Sequence, residues 1–488
     1  MDNVPPSSMR VPGGSKLALL ASVLLSTSNL AALAGPVPSV RPAGTLASAS
    51  DTTAGDPDLR PSTAPPWNPA KPVADSEPWE NALRLPESIA SLPIYALGHL
   101  TERGLMYVEE SNFVPRVSVI LARYQGAGLG VVPASLGDRT GLGAEAQVSP
   151  PFFRPLSAAL SGSTAGYNRA RVTLTAGPAG VEYVSDWRAQ DQFFGFGLES
   201  RQGEVSNYAA QSEAVRASLN YPWRKPERRT PPDGETMPAS DESDHPWCTT
   251  PRFEFHAWVG PRTLVLANGR DSRKESLEER FPSLGATLLG ARVEHLVYGA
   301  RLERDTRSGA PHWTRGWRAG VEAERFDKAI EGLALRDGST PARPFTRLTY
   351  EGEAAVSFRP RDPRTVRLAV KVVDQSLGAG PGLVLIPDLP HLGGREGLSG
   401  FEPGRFHDLD LVAGRLTYLF PMGRYLEMDL HSDAGGVYPD LSEARLATLK
   451  GSYGAALRIR SVAAVLGQIG VDWSSEKVRF GFSLGGVE

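Results

Sequence analysis

The chain is expected to be all-β: a transmembrane antiparallel β-barrel of about 16 strands with a loop folded into the lumen. Three observations predict the barrel. Apolar residues alternate with polar ones from about Val114 to Leu484. Arginine and glutamate recur on the polar side of that alternation, strand after strand. Aromatic residues gather at the ends of the alternating runs, as in Phe152-Phe153, Phe193-Phe194, Tyr221-Pro222-Trp223 and Tyr418-Leu419-Phe420.

The elements follow in chain order. Arg10 and Lys16 precede the apolar run Leu17 to Leu25, and Ala32-Leu33-Ala34 offers a small-x-small cleavage site before Gly35. Residues 1–34 therefore have the layout of a secretory signal peptide. The other reading is a membrane anchor, but the apolar core is about ten residues where ~20 are needed to span a bilayer. Residues 35–78 are rich in Pro, Ala, Ser, Thr and Asp without an apolar period, and are expected to be a disordered linker. Residues 79–113, including PESIASLPIYALGHL, are expected to form a short periplasmic or plug segment.

Residues 114–488 are the expected barrel. Leu426, Met428 and Leu430 alternate with Glu427, Asp429 and His431; Val366, Leu368, Val370 and Val372 alternate with Arg367, Ala369 and Lys371. Trp317 to Glu324 and Val478 to Leu484 repeat the pattern, with similar runs near 116–122, 171–176, 253–259, 296–302, 347–358 and 453–460. Period two means strands with one apolar and one polar face. A soluble sandwich would bury the apolar faces and a membrane barrel would turn them to lipid, so alternation alone fits both. The ionic polar side and the aromatic run ends favour the barrel. At ~9–11 residues per tilted strand, some 370 residues hold about 14 to 18 strands. The longest hydrophilic connection, Arg224 to Pro251, is expected to be an extracellular loop.

Composition excludes some functions. The 488 residues carry a formal net charge of -3, with 41% hydrophobic residues and a mean hydropathy of -0.25. Arginines are interleaved with acids, with no basic block to follow a phosphate backbone, so no nucleic-acid partner is expected. Cys248 is the one cysteine, which forbids an intrachain disulfide.

One stretch demands a special environment. Residues 392–408 read LGGREGLSGFEPGRFHD, between the strand-like runs Leu383–Leu389 and Leu409–Phe420. With LVAGRLTYLFPM and LEMDLHSDAGGVY after it, this stretch resembles the C-terminal barrel of the BamA/TamA superfamily, the bacterial surface antigen family of outer-membrane proteins. In that family a late extracellular loop carries Leu/Val-Arg-Gly-Phe/Tyr after a Gly-Gly turn, then a strand ending in aromatic-Pro and one containing Asp-x-Gly. Asp191 to Gly197 is similar to the family's Phe-Phe-Gly-x-Gly strand start. The resemblance runs from about 190 to 484, with most weight on 390–438. It implies a 16-stranded barrel in the bacterial outer membrane whose loop folds back into the lumen, and service in inserting or translocating outer-membrane proteins or lipids. It also implies outer-membrane lipids, with other outer-membrane or periplasmic proteins, as partners. Of the family's periplasmic POTRA modules, the span from Gly35 to Val114 has room for at most one, and its mostly Pro-rich composition argues against even that.

The loop's residues suit such a place. Gly393, Gly394, Gly397, Gly400 and Gly404 permit tight turns and close approach to a wall. Arg395, Arg405 and Asp408 could be satisfied by a charged inner wall, and Leu398 and Phe401 by packing. There are two departures. Ser399 stands where the family has the tetrad arginine, and serine cannot make that bidentate pair; Arg395 or Arg405 is the expected substitute. The chain also ends Gly485-Gly486-Val487-Glu488 rather than on a terminal aromatic.

Catalytic chemistry is largely missing. Asp429-x-His431-x-Asp433 share one strand face and should point into the lumen, where a general base or half a metal site competes with an ordinary polar wall; the wall is the favoured reading. His407-Asp408 is expected to be a structural contact, and neither a Gly-x-Ser-x-Gly elbow nor a His-Glu-x-x-His occurs in the strand-to-helix context that would support it. No enzyme activity, metal or cofactor is expected. The alternatives to an assembly role are a passive solute channel and an outer-membrane hydrolase barrel, the latter needing a nucleophile beside a histidine.

Overall fold

The computed structural model describes residues 128–134, 140–141, 143–150, 152–153, 155–222, 252–307, 315–328, 343–358, 364–379, 384–395, 397–422, 426–460 and 465–484. The expected signal peptide, linker and N-terminal segment lie outside these, as do the run near 116–122, Cys248 and the last four residues.

The strands in chain order are β1 (Leu129–Ala134), β2 (Gly143–Val148), β3 (Leu156–Ser163), β4 (Asn168–Ala176), β5 (Ala179–Phe193), β6 (Ser206–Pro222), β7 (Arg252–Asn268), β8 (Arg292–Asp305) and β9 (Gly316–Lys328). They continue as β10 (Phe345–Ser357), β11 (Thr365–Leu377), β12 (His391–Leu392), β13 (Phe406–His407), β14 (Asp410–Pro421), β15 (Leu426–Tyr438), β16 (Lys450–Arg460), β17 (Val465–Ser474) and β18 (Val478–Leu484). All but β12 and β13 form one 16-stranded antiparallel sheet in which each strand pairs with the next in sequence. That order is an up-and-down meander, the expected count of strands included. β12 and β13 make a separate two-stranded ladder inside the long connection from β11 to β14.

Register fixes which face each residue occupies. Phe255, Leu302, Val321, Tyr350 and Val372 stand side by side across β7 to β11 on one face. One step along, Glu254, Glu303, Gly320, Glu351 and Lys371 form the matching row on the other. The polar face is the inner one: Arg347 of β10, in the same phase as Glu351, donates to the backbone of Asp388 in the β11–β14 connection. That connection is touched by Arg262 of β7, Arg347 of β10, Asp433 of β15 and Arg479 of β18. A sheet that meets one central loop from so many strands is curled around it, and its other face is the exterior. The exterior is apolar and open, with Leu302 53%, Val321 46% and Phe480 85% exposed. Bare apolar side chains in such numbers are stable against acyl chains and costly against water.

Two expectations are corrected. Leu383–Leu389 is not strand-like: its described part turns through a 3-10 segment at Ile386–Asp388, because Pro387 removes a ladder donor. Asp191–Gly197 ends a strand rather than starting one. β5 stops at Phe193, and Gly195 and Gly197 adopt φ of 100° and 74° in the turn beyond it. The expected extracellular connection Arg224–Pro251 lies outside the described residues. The end bearing the 392–408 loop also carries the other long described connection, that from β7 to β8, as extracellular ends do.

Two short helices, α1 (Leu277–Arg280) and α2 (Pro282–Leu288), sit in the β7–β8 connection. A capping box starts α1: Ser276 Oγ accepts from Glu279 N, and Glu279 Oε2 accepts from Ser276 N. Leu277 and Leu288 pack on Phe193, Leu264, Val293, Leu385 and Ile386. The lumen at this end is thus filled by an apolar core, where the sequence suggested only a wet, charged interior.

Candidate functional site

The loop from Val384 to Leu409 crosses the lumen and is fastened at both ends of its path. Its N-terminal anchor is Asp388, 1% exposed, whose Oδ1 pairs with Arg262 Nη1 at 2.5 Å. The β12–β13 ladder, with His391 opposite His407, then folds the loop into a hairpin. Phe401 packs edge-on to Phe406 at 5.3 Å and, with Leu398, joins Val373, Leu411, Ala413 and Val437 of the wall.

Glycine is required where the hairpin turns and touches. Gly393 has a φ of 121°, and a Cβ there would sit 1.9 Å from the Glu402 carbonyl. At Gly400 a Cβ would lie 2.5 Å from the Trp473 carbonyl, so only glycine lets the loop tip lie against β17. Gly394, Gly397 and Gly404 turn at φ of 69°, 105° and 63°.

Two polar clusters hold the tip. In the first, Arg405 is 2% exposed and sandwiched between Phe194 and Phe406. Its Nε and Nη2 donate to both oxygens of Glu476, in the β17–β18 turn, at 2.8–3.0 Å. Its Nη1 donates to Ser200 Oγ at 2.7 Å, so one side chain ties the loop to the β17–β18 and β5–β6 connections. In the second, Ser399 donates from N and Oγ to Asp433 Oδ2, both at 2.8 Å. Arg415 of β14 grips the same carboxylate through Nε at 2.6 Å and Nη2 at 3.0 Å, and Ser452 Oγ adds a third hydroxyl or amide donor at 3.1 Å. Arg479 of β18 donates to the Ser399 and Phe401 carbonyls at 2.6 and 2.7 Å.

The geometry accounts for the serine. Asp433 already has its bidentate arginine from the neighbouring strand, so the loop needs only a small donor to share the carboxylate. Of the two expected substitutes, Arg405 is the buried loop arginine, and its partner is Glu476; Arg395 is exposed. Asp408 does not reach either cluster: its Oδ1 accepts from Leu409 N, and burial pushes its carboxyl above the usual range against that bond. His407 is buried with Nδ1 unpartnered among the described residues, and its carbonyl accepts from Gly197 N at 2.9 Å. Burial, with His391 stacked at 5.3 Å, pushes the His407 imidazole well below its ordinary value.

The second cluster contains an arrangement that local sequence could not show. Ser399 Oγ lies 3.1 Å from His431 Nε2, and His431 Nδ1 lies 2.9 Å from Asp429 Oδ1, the spacing of a nucleophile, base and orienting acid. A general base needs a free lone pair at Nε2. Here Nε2 also faces Asp472 Oδ1 at 2.8 Å, so both ring nitrogens donate to carboxylates, while the Ser399 hydroxyl donates to Asp433. The serine proton has no acceptor on the ring. The cluster is a latch between the loop and β14 to β18, and the favoured wall reading of His431 holds in that form. Asp433 stands in the Asp429-x-His431-x-Asp433 pattern; Arg415, Glu476, Arg479 and the Arg262–Asp388 pair carry no motif, and alternation marks only the strand residues Arg262, Arg415 and Arg479 as inward.

No family model matches the chain, and no curated protein matches it. Among solved structures it is similar to BamA from Haemophilus ducreyi lacking POTRA domains 1–3, with a TM-score of 0.45 and 11% identity over 76% of this chain and 77% of that one. It is also similar to CdiB from Escherichia coli, at TM-score 0.42 and 12% identity over 72% of this chain and 59% of that one. CdiB from Acinetobacter baumannii follows at 0.38 and 10%, over 72% and 64%. The chain thus spans less than two thirds of either CdiB. With all three the similarity is at low identity.

Proposed function

We propose that the chain is a β-barrel of the bacterial outer membrane that assists insertion or translocation of proteins or lipids there. The observation that carries this reading is the latch: the loop filling the lumen is bound to the last strands of the sheet through Arg405–Glu476 and Arg479. Any displacement of β17 and β18 must carry or release that loop, which links the plug to the end of the sheet. Such a link serves a barrel that handles clients. A passive channel has no use for it, and a lumen crossed by a buried loop obstructs solute flow.

Deleting the gene should alter the outer-membrane protein or lipid profile, and Arg405→Ala with Glu476→Ala should reproduce part of that change. An unchanged profile in the deletion would count against the proposal. Large, stable currents from the purified wild type in planar bilayers would favour the channel instead.

A further inference from the structure

Two apolar clusters meet at the extracellular end without closing on each other. One joins α2 to Leu385 and Ile386; the other centres on Phe326 and Phe345, with Leu377 and Val384 against it. Between them lies a recess of about 380 Å³, within the range that accepts small ligands. Eight of its eleven lining residues are apolar, drawn from α2, the 384–389 segment and the flanking connections. Phe196, 53% exposed, stands at its edge.

One lining residue is charged. Arg343 donates through Nε to the Gly378 carbonyl at 3.3 Å, and among the described residues no carboxylate pairs with it. Its neighbours differ: Arg262 pairs with Asp388, and Arg347 lies 3.7 Å from Glu324. An unneutralised guanidinium beside an apolar recess suits an apolar tail that ends in an anion. A peptide would bring backbone donors and acceptors that these apolar walls leave unmet.

We propose that this recess binds a single long-chain fatty-acid anion, the tail lying between α2 and the 384–389 segment and the carboxylate at Arg343. The site does not depend on the assembly role, and either can fail alone.

The test uses the full chain in phosphatidylcholine nanodiscs with a diazirine-bearing palmitic acid, irradiated and mapped by mass spectrometry. Label is expected on peptides covering 277–289 and 384–389. Leu284→Trp should abolish it by filling the recess. Arg343→Glu should lower it roughly tenfold at subsaturating probe, the worth of one charged hydrogen bond. A palmityl alcohol probe should be indifferent to Arg343→Glu. Heat-modifiable migration reports folding of each variant. Should Leu284→Trp lose it, Thr287→Trp fills the recess from an exposed helix position and takes its place. Label confined to outward strand residues, label in the recess that neither tryptophan removes, or equal loss of acid and alcohol probes with Arg343→Glu would each overturn the proposal.

Discussion

Replacing Arg405 with alanine isolates the first latch. The change strands Glu476, removes the donor to Ser200 Oγ and empties the gap between Phe194 and Phe406. Breaking a buried ion pair by removing one partner costs about 3–5 kcal/mol. Glu476 is 18% exposed, so water recovers part of that and about 2 kcal/mol remains. Lost stacking on two rings adds roughly 1 kcal/mol. A local cost of about 3 kcal/mol raises the open population of the loop by roughly two orders of magnitude. The assay is native-state hydrogen exchange on peptides covering 390–408 and 193–200. These hold the amides of Gly394 and Gly197, which donate to Phe401 and His407. Exchange there should quicken about a hundredfold while β7 to β10 keep their protection. Arg405→Lys should fall between, since lysine keeps the charge and loses the bidentate fork. An Arg405→Ala protein with unchanged exchange across 390–408 would refute the assignment of this pair as an anchor.

Other outcomes follow from the same contacts. Ser399→Arg should destabilise, because Arg415 already occupies Asp433, and adding Arg415→Ser should recover most of the loss; a double variant less stable than Ser399→Arg alone would contradict the account, read by urea denaturation. Gly400→Ala should cost about 1–3 kcal/mol by driving a methyl into the Trp473 carbonyl, and a neutral effect would mean the tip is not seated there. His407, whose imidazole is pushed below its ordinary 6.5, contributes docking stability that is full above pH 6.5 and lost as pH falls, by at most about 1.4 kcal/mol per unit. Asp408, pushed up, works the other way, so the protection factors at 390–408, each exchange rate being divided by the intrinsic rate at that pH, should fall on acidification in the wild type and less in His407→Gln, and equal acid sensitivity would reject the role of His407. Asp388→Ala leaves Arg262 without its carboxylate and should loosen 384–389 while sparing the tip, measured by the same exchange.

Much of the architecture could be read in the chain. Val366 to Val372 and Val478 to Leu484 alternate because each strand separates lipid from lumen, and that constraint is local, so sequence displays it. α1 and α2 were not predicted, although Ser276 and Glu279 form an S-x-x-E start with Pro282 close behind; helices of four and seven residues are too short to display a helical apolar period. The loop's glycines were legible, since positive φ and close approach act residue by residue. Its partners were not. Arg405 meets Ser200 and Glu476, and Ser399 meets His431 and Asp433, across tens to hundreds of residues. Such pairings depend on how the sheet curls, which alternation does not encode.

The account rests on side chains of one phase facing lipid and those of the other facing an enclosed interior. Nitroxide scanning of residues 347–354 on β10, in a Cys248→Ser background and in bilayers, tests it most directly. Labels at Leu348, Tyr350 and Ala354 should collide with oxygen from the bilayer, whereas labels at Thr349, Glu351 and Glu353 should be shielded from it, with a period of two. Uniform accessibility, or the opposite phase, would contradict the account.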